Sequence, residues 1–321
     1  MDNEIVKGMS SMLQVLTKQK RLKQWINEIQ PISKKGRLAT YIPQLGTANP
    51  DALGIVICPL DGDVLAEGNT STPFTLQSIS KVITLALALM DHGPDKVFSH
   101  VGMEPTGDPF NSIVKLEMMK PSKPLNPMIN AGAIAVSSLI KGKNADEKFE
   151  RILDLTRKLL NNPGITYSED VYWSEWETGD RNRALAYFMR ETKVIEGDVE
   201  EIVSLYFKHC SIEVTCFDLA QLGYVLANYG RNQRGEQLMP ADVTRVVHSF
   251  MVTCGMYNGS GEFAIKVGIP AKSGVAGGIL ASVPQKMGIG VYGPALNEKG
   301  NSICGVLLLQ KLSEAWNLSI F

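Results

Sequence analysis

The sequence predicts an α+β fold: one mainly antiparallel sheet built from both chain ends, helices packed on it, and an inserted helical lobe. Three observations predict it. Short apolar runs separated by turn residues lie at 53–58 and 64–67, and again from residue 263 onward. The stretch between them is mainly helical in its periodicity. Strands near both termini with helices between them form a two-layer arrangement around one sheet. The 321 residues suffice for one domain of two lobes. The α/β lobe covers about 30–92 and 260–321, and the helical lobe about 93–259.

Taken in order, residues 4–30 place Ile5, Met9, Met12, Leu13, Leu16, Leu22, Trp25, Ile26 and Ile29 at helical spacing. One or two amphipathic helices should end before Pro31. A basic loop at 33–37 and a turn near Asn49-Pro50 follow. The runs 53–58 and 64–67 flank Asp61-Gly62, a hairpin signal. A strand, a turn and a buried helix over 82–90 come next, closed at Asp91-His92-Gly93. Residues 93–127 are rich in Pro, Gly and Asp and read as a long loop region. A helix of small residues begins around Asn130, and further helices are expected at 147–160, 183–191, 199–210, 216–229 and 240–254. The runs 263–267, 271–275, 278–283 and 288–292 read as short strands. A turn at 297–301, an apolar run at 302–309 and helix over 312–318 complete the chain.

Composition excludes several classes. Hydrophobic content of 44% and charged content of 20% are those of an ordinary globular protein. A formal net charge of -1 gives no attraction to nucleic acid or to an anionic membrane. No apolar run reaches the length of a membrane span, and the acidic Met1-Asp2-Asn3-Glu4 start does not resemble a signal peptide. Five cysteines without a C-x-x-C pair fit reduced, buried thiols, so a cytoplasmic location is expected. His92, His100, His209 and His248 show no metal-ligand spacing, and no metal is expected.

The chemistry is placed at Gln77-Ser78-Ile79-Ser80-Lys81. Three residues apart at the start of a helix, Ser78 and Lys81 share one face. A serine beside a lysine is a nucleophile beside its base, provided burial lowers the lysine pKa. The helix N-terminus favours the developing negative charge. Ser-x-x-Lys recurs at Ser112/Lys115 and Ser138/Lys141, but only the first copy enters a long apolar helix from a strand.

Lys272-Ser273-Gly274 lies in one of the late strands. A K-[ST]-G strand together with an S-x-x-K helix is the pairing of the β-lactamase and penicillin-binding class. Lys272 could equally be a solvated edge-strand lysine. The middle element of that class, S-x-N or Y-x-N, is absent from the sequence.

Seven separated blocks narrow the comparison: Tyr41-Ile42-Pro43-Gln44-Leu45; Gln77-Ser78-Ile79-Ser80-Lys81; Asn126-Pro127-Met128-Ile129-Asn130-Ala131-Gly132-Ala133-Ile134; Ser174-Glu175 with Gly179-Asp180-Arg181-Asn182; Cys210-Ser211-Ile212-Glu213-Val214-Thr215-Cys216; Cys254-Gly255-Met256-Tyr257; and Pro270-Ala271-Lys272-Ser273-Gly274-Val275-Ala276-Gly277-Gly278. With these blocks the chain resembles the serine-dependent glutaminases in their short bacterial-type form, a β-lactamase-like family that hydrolyses L-glutamine to L-glutamate and ammonia. The resemblance runs from Tyr41 almost to the C-terminus. It implies Ser78 as nucleophile, Lys81 as its base and Tyr257 as a second proton-transfer group. It implies an oxyanion hole from the backbone N–H groups of Ser78 and Val275, with Gly274 and Gly277 leaving room for the approach. Asn130, Glu175, Asn182 and Tyr206 would hold the α-amino and α-carboxylate ends of glutamine, with Tyr41 and Gln77 also in the pocket. No cofactor is implied, and a homo-oligomer, dimer or tetramer, is.

The residue chemistry suits that substrate. A zwitterionic end needs an anion for its ammonium and amide or hydroxyl donors for its carboxylate, which Glu175, Asn130, Asn182 and Tyr206 supply. Each also has a plainer role open to it: a packing amide, a helix cap, a solvated acid, an anchored core aromatic. The alternatives are another serine amidase or esterase or a β-lactam-interacting hydrolase on the same fold, and a catalytically dead ligand-binding protein that uses the same pocket.

Overall fold

The computed structural model describes residues 2–107, 112, 116–117 and 122–321, with side chains from residue 15 onward. The side chains of Ile5, Met9, Met12 and Leu13, and Lys115 of the second Ser-x-x-Lys, lie outside what is described.

Seven strands are described: β1 (Gly54–Pro59), β2 (Leu65–Gly68), β3 (Phe74–Thr75), β4 (Glu213–Val214), β5 (Ala271–Ser273), β6 (Gly278–Val283) and β7 (Met287–Tyr292). Five of them form one sheet in the order β2-β1-β7-β6-β5, antiparallel throughout, so both chain ends build it. The period of two divides its side chains. Ile55 and Ile57 of β1, opposite Val291 and Ile289 of β7, enter one core. Helices α1 (Asp2–Ile29) and α11 (Ile303–Trp316) contribute Leu22, Ile26, Leu308 and Leu312 to the same core. Val56, Leu280 and Tyr292 face the other way into a larger core. Both faces are buried, which explains why the strands are nearly continuous apolar runs.

The larger core holds the remaining long helices: α2 (Ser80–His100), α3 (Asn130–Leu139), α4 (Ala145–Leu160), α5 (Glu169–Thr178), α6 (Asp180–Glu191), α7 (Val199–Cys210), α8 (Cys216–Ala227) and α9 (Ala241–Cys254). Helix α8 lies directly on β7, β6 and β1. It is started by a Thr215/Asp218 capping box. Its backbone comes so close that a Cβ on Gly288 would collide with the Tyr224 amide, and one on Gly290 with the Cys216 carbonyl. Among the described residues no helix is long and apolar enough to cross a membrane.

Three local expectations are corrected. Gly93, at φ 77, ends the first helical segment of α2 as expected, but no loop follows: a second helical segment starts at Pro94 and runs to His100. Residues 94–100 are therefore helix rather than loop, with Pro94 opening the new segment, where its missing N–H costs nothing. Residues 263–267 are not a strand but the end of α10 (Ser260–Lys266). Phe263 and Val267 are buried while Ile265 is exposed, a spacing that serves a helix. The strand before Ser78 stands outside the main sheet, because β3 pairs only with β4.

Candidate active site

Ser78 sits at the junction of the two layers. Phe74 of β3 stacks on Tyr292 of β7, with centroids 4.5 Å apart and planes at 6°. The Leu76 amide donates to Ile212 O at 2.8 Å. A 3-10 turn, Gln77–Ile79, then leads straight into α2. Ser78 therefore lies on this turn, one residue short of the α-helix, and is 7% exposed. Gln77 has φ 49, a left-handed conformation that a residue with a Cβ adopts only when its surroundings hold it there. Its side-chain amide donates to Glu175 Oε1 at 2.8 Å and to Thr75 Oγ1 at 3.3 Å, and its carbonyl accepts from Ser80 Oγ at 2.7 Å.

Tyr257 has the same kind of backbone, φ 52, in the turn Tyr257–Gly259 after α9. Burial raises the phenol pKa well above its usual value, with the adjoining Ser78 side chain opposing. Two left-handed residues thus meet at the serine.

Lys81, in the first turn of α2, is 1% exposed. Its Nζ donates to Asn130 Oδ1 at 2.7 Å and to Met128 O at 3.3 Å. Both acceptors come from one short segment. The side chain of Asn126 accepts from the amides of Met128 and Ile129 and so shapes the turn that starts α3 at Asn130. Burial pulls the Lys81 pKa down to about 8, with Cys210 and Glu175 opposing. Lys81 thus has the desolvated setting that a lysine base requires.

Asn130 Nδ2 donates to Asn182 Oδ1 at 3.0 Å, which brings in the first turn of α6. Glu175 from α5 is buried, and burial pushes its carboxyl up to about 7, against the lowering effect of Gln77 and Lys81. Tyr206 from α7 is buried, with its ring centroid 5.9 Å from Lys81 Nζ, and burial raises its phenol far above the usual value. Tyr41 exposes much of its side chain, yet burial of its hydroxyl, with Tyr257 and Glu175 nearby, raises that phenol as well.

One pocket is lined by Tyr41, Gln77, Ser78, Asn130, Glu175, Asn182, Tyr206 and Val275 together. Lys81 stands beneath it, and Tyr257 lines an adjoining cavity that shares Tyr41 and Val275. The loop at 274–277 comes in close: a Cβ on Gly274 would lie 2.5 Å from Leu76 O, and Gly277 has φ 99. Among the described residues neither the Ser78 nor the Val275 backbone N–H has an acceptor. The pocket thus offers a serine, a lysine of lowered pKa beneath it, two N–H donors, one carboxylate and three carboxamides.

Other pocket residues did not stand out in the sequence. Thr178, Gly179, Arg181 and Phe207 also line it. Arg181 and Gly179 fall inside a conspicuous block, but nothing about a lone arginine marks it as a lining residue. Lys272 is not a solvated edge lysine. Although β5 is an edge strand, Lys272 is fully buried, donating to Gly255 O at 3.1 Å and Ser273 O at 2.7 Å, 4.6 Å from the Tyr257 ring centroid. His209 is fully buried against Tyr206, with ring centroids 5.2 Å apart. Its only sequence signal was a histidine among the apolar positions of α7. Ser138 of the third Ser-x-x-Lys bonds back to its own helix at Ala135 O, while Lys141 stays exposed. Among the described residues no group of three His, Cys, Asp or Glu side chains is placed to hold a metal ion.

A sequence profile of the Glutaminase family matches residues 36–321. The glutaminase of Geobacillus thermodenitrificans is 56% identical over 301 residues, which cover 94% of this chain and 97% of that protein. The glutaminase of Alkaliphilus metalliredigens is 60% identical over 287 residues, 89% of this chain and 94% of that protein. Among solved structures, a Bacillus subtilis glutaminase in covalent complex with 5-oxo-L-norleucine superposes with a TM-score of 0.85 at 41% identity, covering 94% of this chain and 99% of that one.

Proposed function

The chain belongs to the glutaminase family, and from that premise we propose that it hydrolyses L-glutamine to L-glutamate and ammonia through an acyl-enzyme on Ser78. The observation that carries the mechanism is the position of Ser78, beside Tyr257 and three residues before a fully buried lysine. Ser78 Oγ attacks the side-chain amide carbon as Lys81 Nζ takes the hydroxyl proton. The backbone N–H groups of Ser78 and Val275 stabilise the oxyanion. Tyr257 delivers a proton to the departing nitrogen, which leaves as ammonia. Water then attacks the glutamyl ester, gives up a proton to the same machinery, and frees glutamate and Ser78.

Substrate placement follows from the charges. Glu175 faces the α-ammonium, and Asn182, Asn130 and Tyr206 face the α-carboxylate, with Tyr41 and Gln77 closing the pocket. The 5-oxo-L-norleucine held covalently by the Bacillus subtilis relative matches glutamine from the α-amino acid end to the C5 carbonyl, with a carbon in place of the amide nitrogen, which supports this class of ligand. A homo-oligomer and a cytoplasmic location complete the proposal. Five free, buried cysteines suit a reducing compartment, and light scattering of the purified protein tests the oligomer.

Replacing the nucleophile tests the route. Ser78→Ala should release no measurable ammonia from glutamine while calorimetry still detects glutamine binding. An alanine variant that keeps most of its turnover would rule out the acyl-enzyme.

A further inference from the structure

Beneath the pocket, His209 joins two serines. Its Nδ1 lies 2.8 Å from Ser80 Oγ, and its Nε2 lies 3.0 Å from Ser137 Oγ. All three residues are fully buried. The histidine belongs to α7, which carries Tyr206; Ser80 to α2, which carries Lys81; Ser137 to α3, which carries Asn130. Each serine also lies close to a backbone carbonyl: Ser80 Oγ is 2.7 Å from Gln77 O, and Ser137 Oγ is 2.8 Å from Ala133 O.

Counting protons restricts this network. Burial, with Lys81 nearby, lowers the His209 pKa to about 3, so the ring is neutral near pH 7 and carries one N–H. Each hydroxyl has one proton. A neutral ring donates to one serine and accepts from the other. The serine that receives the ring N–H keeps its own proton for its carbonyl; the other must give its proton to the ring. So only one of the two carbonyls, Gln77 O or Ala133 O, holds a hydroxyl proton at a time.

The choice matters because Gln77 O and the Ser78 N–H are opposite ends of one peptide plane. In a trans peptide they point in opposite directions. Fixing the carbonyl toward Ser80 turns the Ser78 N–H the other way, and a hydrogen bond to the carbonyl polarises the amide as a donor. The Ser80 backbone N–H also donates to Gln77 O. The left-handed backbone of Gln77 is therefore gripped at its carbonyl by both groups of Ser80.

We infer that His209 is a positioning residue: its Nδ1–H donates to Ser80 Oγ, freeing the Ser80 hydroxyl proton for Gln77 O and thereby orienting the Ser78 N–H as an oxyanion donor. The inference rests on the acyl-enzyme proposal above. It goes beyond it in giving the oxyanion donor a buried, substrate-free support.

Two measurements test it on the intact protein. The first is the ¹⁵N NMR signature of the His209 ring in the unaltered protein at pH 7, which should show Nδ1 protonated and Nε2 bare. An Nε2–H tautomer would commit the Ser80 proton to the ring and overturn the inference without any mutation. The second is steady-state kinetics on glutamine. Loss of a whole oxyanion donor costs roughly a hundred- to a thousandfold in kcat. Misalignment of one should cost less, about tenfold, in His209→Leu and in Ser80→Ala. KM should change little, because the effect is felt in the transition state. His209→Gln, which presents one acceptor and one donor, should recover much of the rate. Unchanged kcat in a folded Ser80→Ala, or a loss confined to KM, defeats the role. The two proposals fail separately: a Ser78→Ala variant that still turns over sinks the acyl-enzyme, whereas a dead Ser78→Ala beside an unaffected Ser80→Ala sinks only the support.

Discussion

Lys81 Nζ donates to Asn130 Oδ1 across 2.7 Å, and the same amide passes its Nδ2 to Asn182 Oδ1 at 3.0 Å. One carboxamide therefore links the proposed base to the proposed carboxylate-binding side of the pocket. Its neutrality is what the base needs. A carboxamide oxygen orients the amine without the charge that would hold its proton in place.

Asn130→Asp changes that charge with little change in shape. A carboxylate so close to an amine raises the amine pKa by roughly one to three units. Lys81 starts from about 8, so the variant should carry a firmly protonated lysine at neutral pH. The expected outcome is a fall in kcat/KM near pH 7, with the rising limb of the pH profile moved to alkaline pH. A profile lowered equally at every pH would assign Asn130 to binding alone.

Glu175 gives the acid side of the same profile. Burial raises its carboxyl to about 7 in the free protein. The clamp for an ammonium needs the carboxylate, which is lost as pH falls through that value. The free amine of Lys81 is lost as pH falls through about 8. Both act in one direction, so kcat/KM should rise from pH 6 and level off only above the Lys81 value. Glu175→Gln should raise KM for glutamine and remove the lower of the two transitions. A profile that is flat between pH 6 and 9 is incompatible with both assignments.

The sheet was legible in the sequence because its strands are buried on both faces and separated by Gly and Pro. The segments 278–283 and 288–292 reappear as β6 and β7 almost to the residue. Segment 263–267 misled because five residues with apolar ends satisfy either period, and only burial of Phe263 and Val267 with Ile265 exposed decides it. Residues 94–100 misled because a glycine that ends one helix gives no sign that another begins at the proline after it. Ser78 and Lys81 could be singled out by position ahead of an apolar helix. Asn130, Glu175, Asn182 and Tyr206 are separated by long stretches of chain and came only through resemblance. His209 gave no usable signal, since its partners, Ser80 and Ser137, are 129 and 72 residues away.

Specificity follows from fixing both ends of the amino acid. In the proposed placement the α-groups are clamped on the side of Glu175 and Asn182, and the amide must reach Ser78. Asparagine is one methylene shorter, so its amide carbon falls short of the serine. A misplacement of about 1 Å can cost on the order of a hundredfold. Purified protein should therefore release ammonia from glutamine with a kcat/KM at least that much larger than from asparagine. Comparable values for the two would show that the α-groups are not held as described.

Tyr257 is proposed to move protons rather than to fill space. Its hydroxyl adjoins the Ser78 side chain, and its ring lies 4.6 Å from Lys272 Nζ. Burial raises its pKa, so the hydroxyl carries its proton at neutral pH and is ready to give it to the leaving nitrogen. Returning the proton in the second half of the reaction requires a transient phenolate, which recovers its proton from the attacking water. Tyr257→Phe keeps the ring on Lys272 and removes only the hydroxyl. A group engaged in general acid–base catalysis contributes roughly a hundred- to ten-thousandfold. The variant should lose kcat within that range, with its thermal melting and its glutamine binding nearly unchanged. Loss of the fold, or turnover equal to the parent, would make Tyr257 a packing residue and leave both proton transfers to Lys81.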